Sequence, residues 1–311
     1  MAGKKNSNSK SNKKNNESIQ ILLLRAYDSQ NDEKALEFIE KILALDPENP
    51  EALMLKADKT ENDNEKLKLI NLALKELKKD SRNSDENELL TCALQQRLAF
   101  IYFSQKKYDD VLKITRNISD LNSNGFFDSE HSIMLRALHY RTLIELRKWS
   151  EILSETMRDE IHDSAWAYSR LLAAFILSSK NSIENNRTCS RMFCEALKID
   201  PEVPFFMLGY RDEPDDEEDL YNNPLIELSF NFALMFYDTL NISGEFSTWF
   251  SKGTMLFGLF TNRFGREYEF VIDAIDSIGG YNEYEVLSTN MFESDDEAVL
   301  EMMASKGFPL R

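Results

Sequence analysis

A ten-residue passage occurs twice in this sequence. Residues 41–50 read Lys-Ile-Leu-Ala-Leu-Asp-Pro-Glu-Asn-Pro, and residues 195–204 read Glu-Ala-Leu-Lys-Ile-Asp-Pro-Glu-Val-Pro. In each, an apolar run ends at Asp-Pro-Glu-x-Pro. Proline has no N–H and a fixed φ, so it cannot continue a helix but is well suited to open one. The same corner at two distant points points to helices joined in a repeated way. The stretch 19–204 agrees: apolar residues recur at three- and four-residue spacing, and polar stretches interrupt them. Between Lys4 and Leu208 the only glycine is Gly125, and no segment alternates as a strand would.

These passages resemble the tetratricopeptide repeat, whose first helix reads roughly W-x2-L-G-x2-Y and whose second reads A-x3-F before a proline. Leu23-Leu24-x2-Tyr27, Leu98-Ala99-x2-Tyr102 and Leu171-Leu172-x2-Phe175 fit the first helix, with a larger residue in place of glycine. Ala35-x3-Ile39 with Pro47, and Cys189-x3-Phe193 with Ala196 and Pro201, fit the second; Lys107–Val111 matches the turn into a third such helix. Two degenerate pairs cover about 51–79, with Ala57 at the crossing, and about 131–157, with Trp149 at the turn. The equivalent positions Ala35, Leu67, Val111, Ile152 and Cys189 recur at steps that average 38.5 residues, longer than the family's ~34, and loops absorb the excess.

The resemblance implies an all-α fold: a tetratricopeptide-like α-solenoid of helix-turn-helix pairs over 17–204, with Tyr102 and Phe193 at packing positions. It also implies a binding groove on the first helices of the pairs. Carried over by position, its candidates are Arg25, Phe100, Phe103, Arg141 and Trp166, aromatic and arginine side chains of the kind that anchor interfaces. Some family members clamp a peptide carboxylate with lysine and asparagine. Here those positions hold Ile21, Arg25, Gln96 and Phe100, which argues against such a clamp. Residues 196–209, ALKIDPEVPFFMLG, also resemble a short part of suppressor-of-tumorigenicity-7-like repeat proteins.

Beyond residue 204 the pattern changes, and 205–311 reads as an acidic helical region. Seven of the eight residues at 212–219 are acidic, a solvated loop. Residues 224–240 are apolar nearly all round and predict a buried helix. Segments 246–260 and 267–278 predict helices. Residues 294–297 supply an N-cap, and Gly307 a C-cap, for a last one. Residues 1–16 form a Lys/Asn/Ser tail, which cannot bury apolar surface and reads as disordered.

Charge narrows the partner. The net charge is −17; the first 16 residues hold five lysines and no acid, whereas 205–311 hold 21 acids against six bases. A nucleic-acid ligand needs a basic surface, so the expected partner is a protein or peptide, preferably basic. No apolar run reaches the ~20 residues that span a bilayer, and no signal region opens the chain, so a cytoplasmic protein is expected. Phosphate-binding glycine loops, G-x-S-x-G, H-E-x-x-H and C-x-x-C are all absent. Cys92, Cys189 and Cys194 form neither a disulfide framework nor a zinc pattern. His131, His139 and His162 lack ligand spacing. The reading is therefore a non-enzymatic interaction scaffold or adaptor without cofactor or metal. Its alternatives are an enzyme with an unrecognised site in 205–311, and an RNA-associated adaptor using the basic tail.

Overall fold

A computed structural model describes residues 19–79, 85–116, 129–178, 182–214, 225–265, 268–289 and 295–311. The 1–16 tail and most of the 212–219 acidic run lie outside the described residues. Among the described residues every regular element is a helix and none is a strand. No described helix is long and apolar enough to cross a membrane.

The chain divides into two compact units, Met1–Ser132 and Ile133–Arg311. The first begins with α1 (residues 19–27) and continues through α2 (Asp32–Leu45), α3 (Pro50–Asp58), α4 (Asp63–Lys79), α5 (Asp85–Ser104) and α6 (Tyr108–Arg116). The helices from α2 onward each pack on the next. Side-chain caps set their starts: the Asn31 carboxamide accepts from the N–H groups of Glu33 and Lys34, and Asn49 accepts from Ala52. Alanines at 52, 57, 73 and 93 are buried where helices approach, and Leu53, Ile70 and Leu94 fill the space between.

The second unit takes most of α7 (Glu130–Glu145), then α8 (Trp149–Thr156), α9 (Ser164–Leu177), α10 (Ile183–Ile199) and the short α11 (Val203–Met207). After them come α12 (Ile226–Phe236), a 3-10 turn (Tyr237–Ile242), α13 (Gly244–Phe260), α14 (Tyr268–Ser277), α15 (Tyr281–Ser288) and α16 (Asp296–Lys306). The last is capped as expected, by the Asp295 side chain at its start and by left-handed Gly307, φ 74°, at its end.

The duplicated decapeptide builds the same corner in both units. Asp46 and Asp200 are the C-caps of α2 and α10, with φ/ψ of −142°/91° and −150°/93°. Each backbone N–H reaches back to a carbonyl of the helix it ends, Ile42 in one case and Ala196 in the other. A proline then opens the next helix. The surroundings differ. Asp46 accepts only from Asn49 within its own turn. Asp200 is enclosed, and its carboxylate accepts from the hydroxyls of Ser164 (2.8 Å) and Ser229 (2.9 Å) and the Glu202 N–H (3.2 Å).

Burial pushes the Asp200 carboxyl above its usual value, although these hydrogen bonds pull the other way. The folded state thus holds this proton more tightly than the unfolded chain. Asp200 therefore makes stability fall as pH rises from about 3.8 through the raised folded value. Asp200→Asn should remove that contribution, while Asp200→Ala, which strands the Ser164 hydroxyl and leaves that of Ser229 only the Leu225 carbonyl at 3.3 Å, should cost about 1–3 kcal/mol. Melts of both variants across pH check this.

The compositional change at residue 204 is not a boundary of packing. One aromatic core joins α9 and α10 to α13: Phe175 lies 5.0 Å and Phe193 5.6 Å from the Trp249 ring, and Phe193 is 5.6 Å from Phe250. Helix α16 packs on α10. Two glycines of α13 permit this close approach. A Cβ at Gly253 would sit 2.6 Å from Phe193 Cε1, and one at Gly258 would meet the rings of Phe264 and Phe205. The all-round burial expected for 224–240 is corrected. Ile226, Ser229, Phe232, Ala233 and Phe236 make one buried face, whereas Leu225, Leu234 and Tyr237 are exposed. Helix α12 packs on α11 and α9 through that face and through Phe230 beside it, whose ring lies 5.3 Å from that of Phe206.

Candidate functional site

The first helices of the pairs in the first unit leave an open face with two adjoining recesses. The larger, about 600 Å³, is walled by Leu23, Leu24 and Tyr27 of α1, Glu51 and Met54 of α3, and Leu89, Leu90 and Ala93 of α5. The smaller, about 400 Å³, is walled by Ala57 and Asp58 of α3, Ile70 of α4, and Gln96, Arg97 and Phe100 of α5. His131, in the first turn of α7, lines both. Leu24 is 63% exposed, Tyr27 51%, Leu89 44% and Phe100 36%, so large apolar side chains meet solvent along one continuous face.

Helical spacing explains the arrangement. Residues 20, 23, 24 and 27 fall on one face of α1, and 86, 89, 90, 93, 97 and 100 run as a stripe down α5. Polar pairs brace the walls. The Tyr27 hydroxyl donates to Glu51 (2.9 Å). Arg97 grips Asp58 through two parallel hydrogen bonds of 2.7 and 2.8 Å. Burial pushes His131 below its ordinary value and the Arg97 guanidinium adds to that; its Nδ1 lies 2.6 Å from the Gln96 carboxamide oxygen, an acceptor. The rim carries Glu51 and Glu86 beside the larger recess, which has no basic residue other than His131.

Of the five residues expected to line a groove, Phe100 does so. Arg25 is exposed but points to its own partner helix, its guanidinium 6.0 Å from the Phe38 ring. Phe103 is half-buried and packs on Tyr108 inside the α5–α6 corner, ring centroids 5.6 Å apart. Arg141 and Trp166 belong to the second unit and are buried there. Arg141 pairs with Glu145 (2.6 Å) and with Asp238 (2.8 Å). The Trp166 indole N–H donates to the Thr156 carbonyl (2.8 Å), and its ring stacks on His162 at 4.2 Å. The larger recess also takes in Leu24, Tyr27, Leu89 and His131, of which the L-L-x2-Y match at 23–27 marks the first two.

The other reactive groups sit in ordinary packing roles. The three thiols are buried, and burial pushes each of them up, Cys194 to about 12. His139 bonds Glu155 at 2.7 Å. Among the described residues no three His, Cys, Asp or Glu side chains converge as a metal site would require. No family model, curated protein or solved structure matches the chain.

Proposed function

We propose that this chain is a tetratricopeptide-like interaction module that holds a segment of a protein partner in the open face of its first unit. The observation that carries this reading is the exposure of Leu24, Tyr27, Leu89 and Phe100 along one face between α1, α3 and α5. Monomeric proteins seldom leave contiguous apolar surface open without a use for it. Two recesses one after the other suit apolar anchors spaced along a helix or an extended segment. The Glu51 and Glu86 rim, and the net charge of −17, favour a basic partner and speed its approach at low salt.

The test uses a binding partner taken by pull-down and then measured with purified components. Leu24→Asp should lower affinity at least roughly tenfold, since a charge would replace an apolar anchor. Phe100→Ala should weaken binding in the same sense with little change in melting temperature, because its side chain is partly open. Arg25→Ala, off the face, should leave affinity unchanged. Full affinity in Leu24→Asp would place the partner elsewhere.

A further inference from the structure

We propose that the second unit carries a socket for an arginine side chain, built by Phe175, Ser178 and Glu245. Residues 307–311 of this chain occupy it, and an extended peptide of the same chemistry can replace them. The site is separate from the groove of the first unit and does not depend on it.

After the Gly307 cap, residues 308–311 adopt neither helix nor strand. Their backbone groups are instead met by side chains from other helices. The carbonyl of Gly307 accepts from Asn186 Nδ2 (2.9 Å), and that of Pro309 from the Trp249 indole N–H (2.8 Å). The single Ser190 hydroxyl proton lies within reach of both carbonyls (2.9 and 3.1 Å) and of the Asn186 carbonyl (2.9 Å), and goes to one of them at a time. The N–H of Leu310 donates to Glu283 (3.3 Å), and that of Arg311 to Asn186 Oδ1 (2.9 Å). One carboxamide thus reads both a carbonyl and an N–H four residues apart. Side chains meeting the main chain of an extended segment is how a bound peptide is held, and most of these contacts read any sequence.

Arginine supplies the sequence selection. The Arg311 side chain is 5% exposed, and its Cζ lies 3.7 Å from the Phe175 ring centroid. Nη1 donates to the Ser178 carbonyl (3.4 Å) and to the Ser178 hydroxyl, and Nη2 faces Glu245 at 3.4 Å. Ser178 is the C-cap of α9, so the negative end of that helix adds to the pull on the cation. An aromatic face plus acceptors in two directions matches a planar guanidinium and not the compact head of lysine. The Nε of Arg311 is buried without a partner, so the present occupant leaves one donor unmet. Leu310 is 43% exposed and contributes little to the hold. Because the segment is tethered, its effective concentration keeps the socket filled, and a free ligand has to outcompete it.

The full chain bearing Arg311→Ala empties the arginine pocket and leaves residues 307–310 held by their backbone contacts alone, which the incoming peptide has to displace. Its probes are the peptide acetyl-Phe-Pro-Leu-Arg-amide and the same peptide with lysine in place of arginine. The arginine peptide should raise the variant's melting temperature saturably and bind it at least roughly tenfold more tightly than the lysine peptide does. The unaltered chain should bind the arginine peptide at least roughly tenfold more weakly than the variant. Equal binding of the two peptides, or no saturable binding, overturns the proposal. Hydrogen exchange on the unaltered chain is a second measurement that needs no variant. Excess arginine peptide should deprotect the amides of Leu310 and Arg311, and unchanged protection overturns the exchange.

Discussion

Replacing Phe193 with alanine is expected to destabilise the second unit by about 3–5 kcal/mol, enough to remove much of the stability of an ordinary domain. The side chain is fully buried and touches the rings of Trp249 and Phe250, while the bare backbone of Gly253 lies against it. These neighbours belong to one rigid helix and cannot collapse into the space, so the cavity term is retained. All three tryptophans, at 149, 166 and 249, lie in the second unit, so fluorescence during denaturation reports on it alone. Tyr102, matched to an equivalent packing role, is only half-buried and should cost less. A Phe193→Ala loss below about 1 kcal/mol would contradict the packing described for this core.

Removing one partner of the Lys252–Glu283 pair should be comparably damaging. Lys252 Nζ and Glu283 Oε1 are 2.8 Å apart, with the side chains only 9% and 3% exposed. Lys252→Met leaves a buried carboxylate unpaired, and such losses cost about 3–5 kcal/mol. The pair itself contributes far less than that, because each charge was desolvated to form it. Adding Glu283→Gln to Lys252→Met should therefore restore most of the loss, since a neutral amide still accepts from the Leu310 N–H. A double variant no more stable than Lys252→Met, measured by denaturant melts, would refute this account.

Much of the fold was legible because its signals are local. Asp-Pro-Glu-x-Pro encodes a complete corner within a few residues, and the expected segments at 246–260 and 267–278 became α13 and α14. Helices also stand within 51–79 and 131–157, with Trp149 opening α8. Site membership was much less legible, because it depends on register and on remote partners. Leu24 and Tyr27 face the open side of α1 while Arg25, about 100° around the helix, does not. Arg141 is taken by Asp238, 97 residues away, and no local pattern carries that information. Trp166 is held by a carbonyl at the end of the preceding helix. The absence of a packing boundary at 204 was hidden for the same reason: composition changes there, but the aromatic residues of α13 complete the core begun by Phe175 and Phe193.

The contact between Gly253 and Phe193 ties two positions that are 60 residues apart in sequence into one unit of change. A side chain gained at 253 is tolerated only if the ring at 193 shrinks and Pro309, whose Cγ would lie 2.9 Å from the new Cβ, also gives way; a larger group at 193 has no backbone left to displace. The two sites should thus drift together, so that in diverging copies of this chain the residue at one can be inferred from the residue at the other.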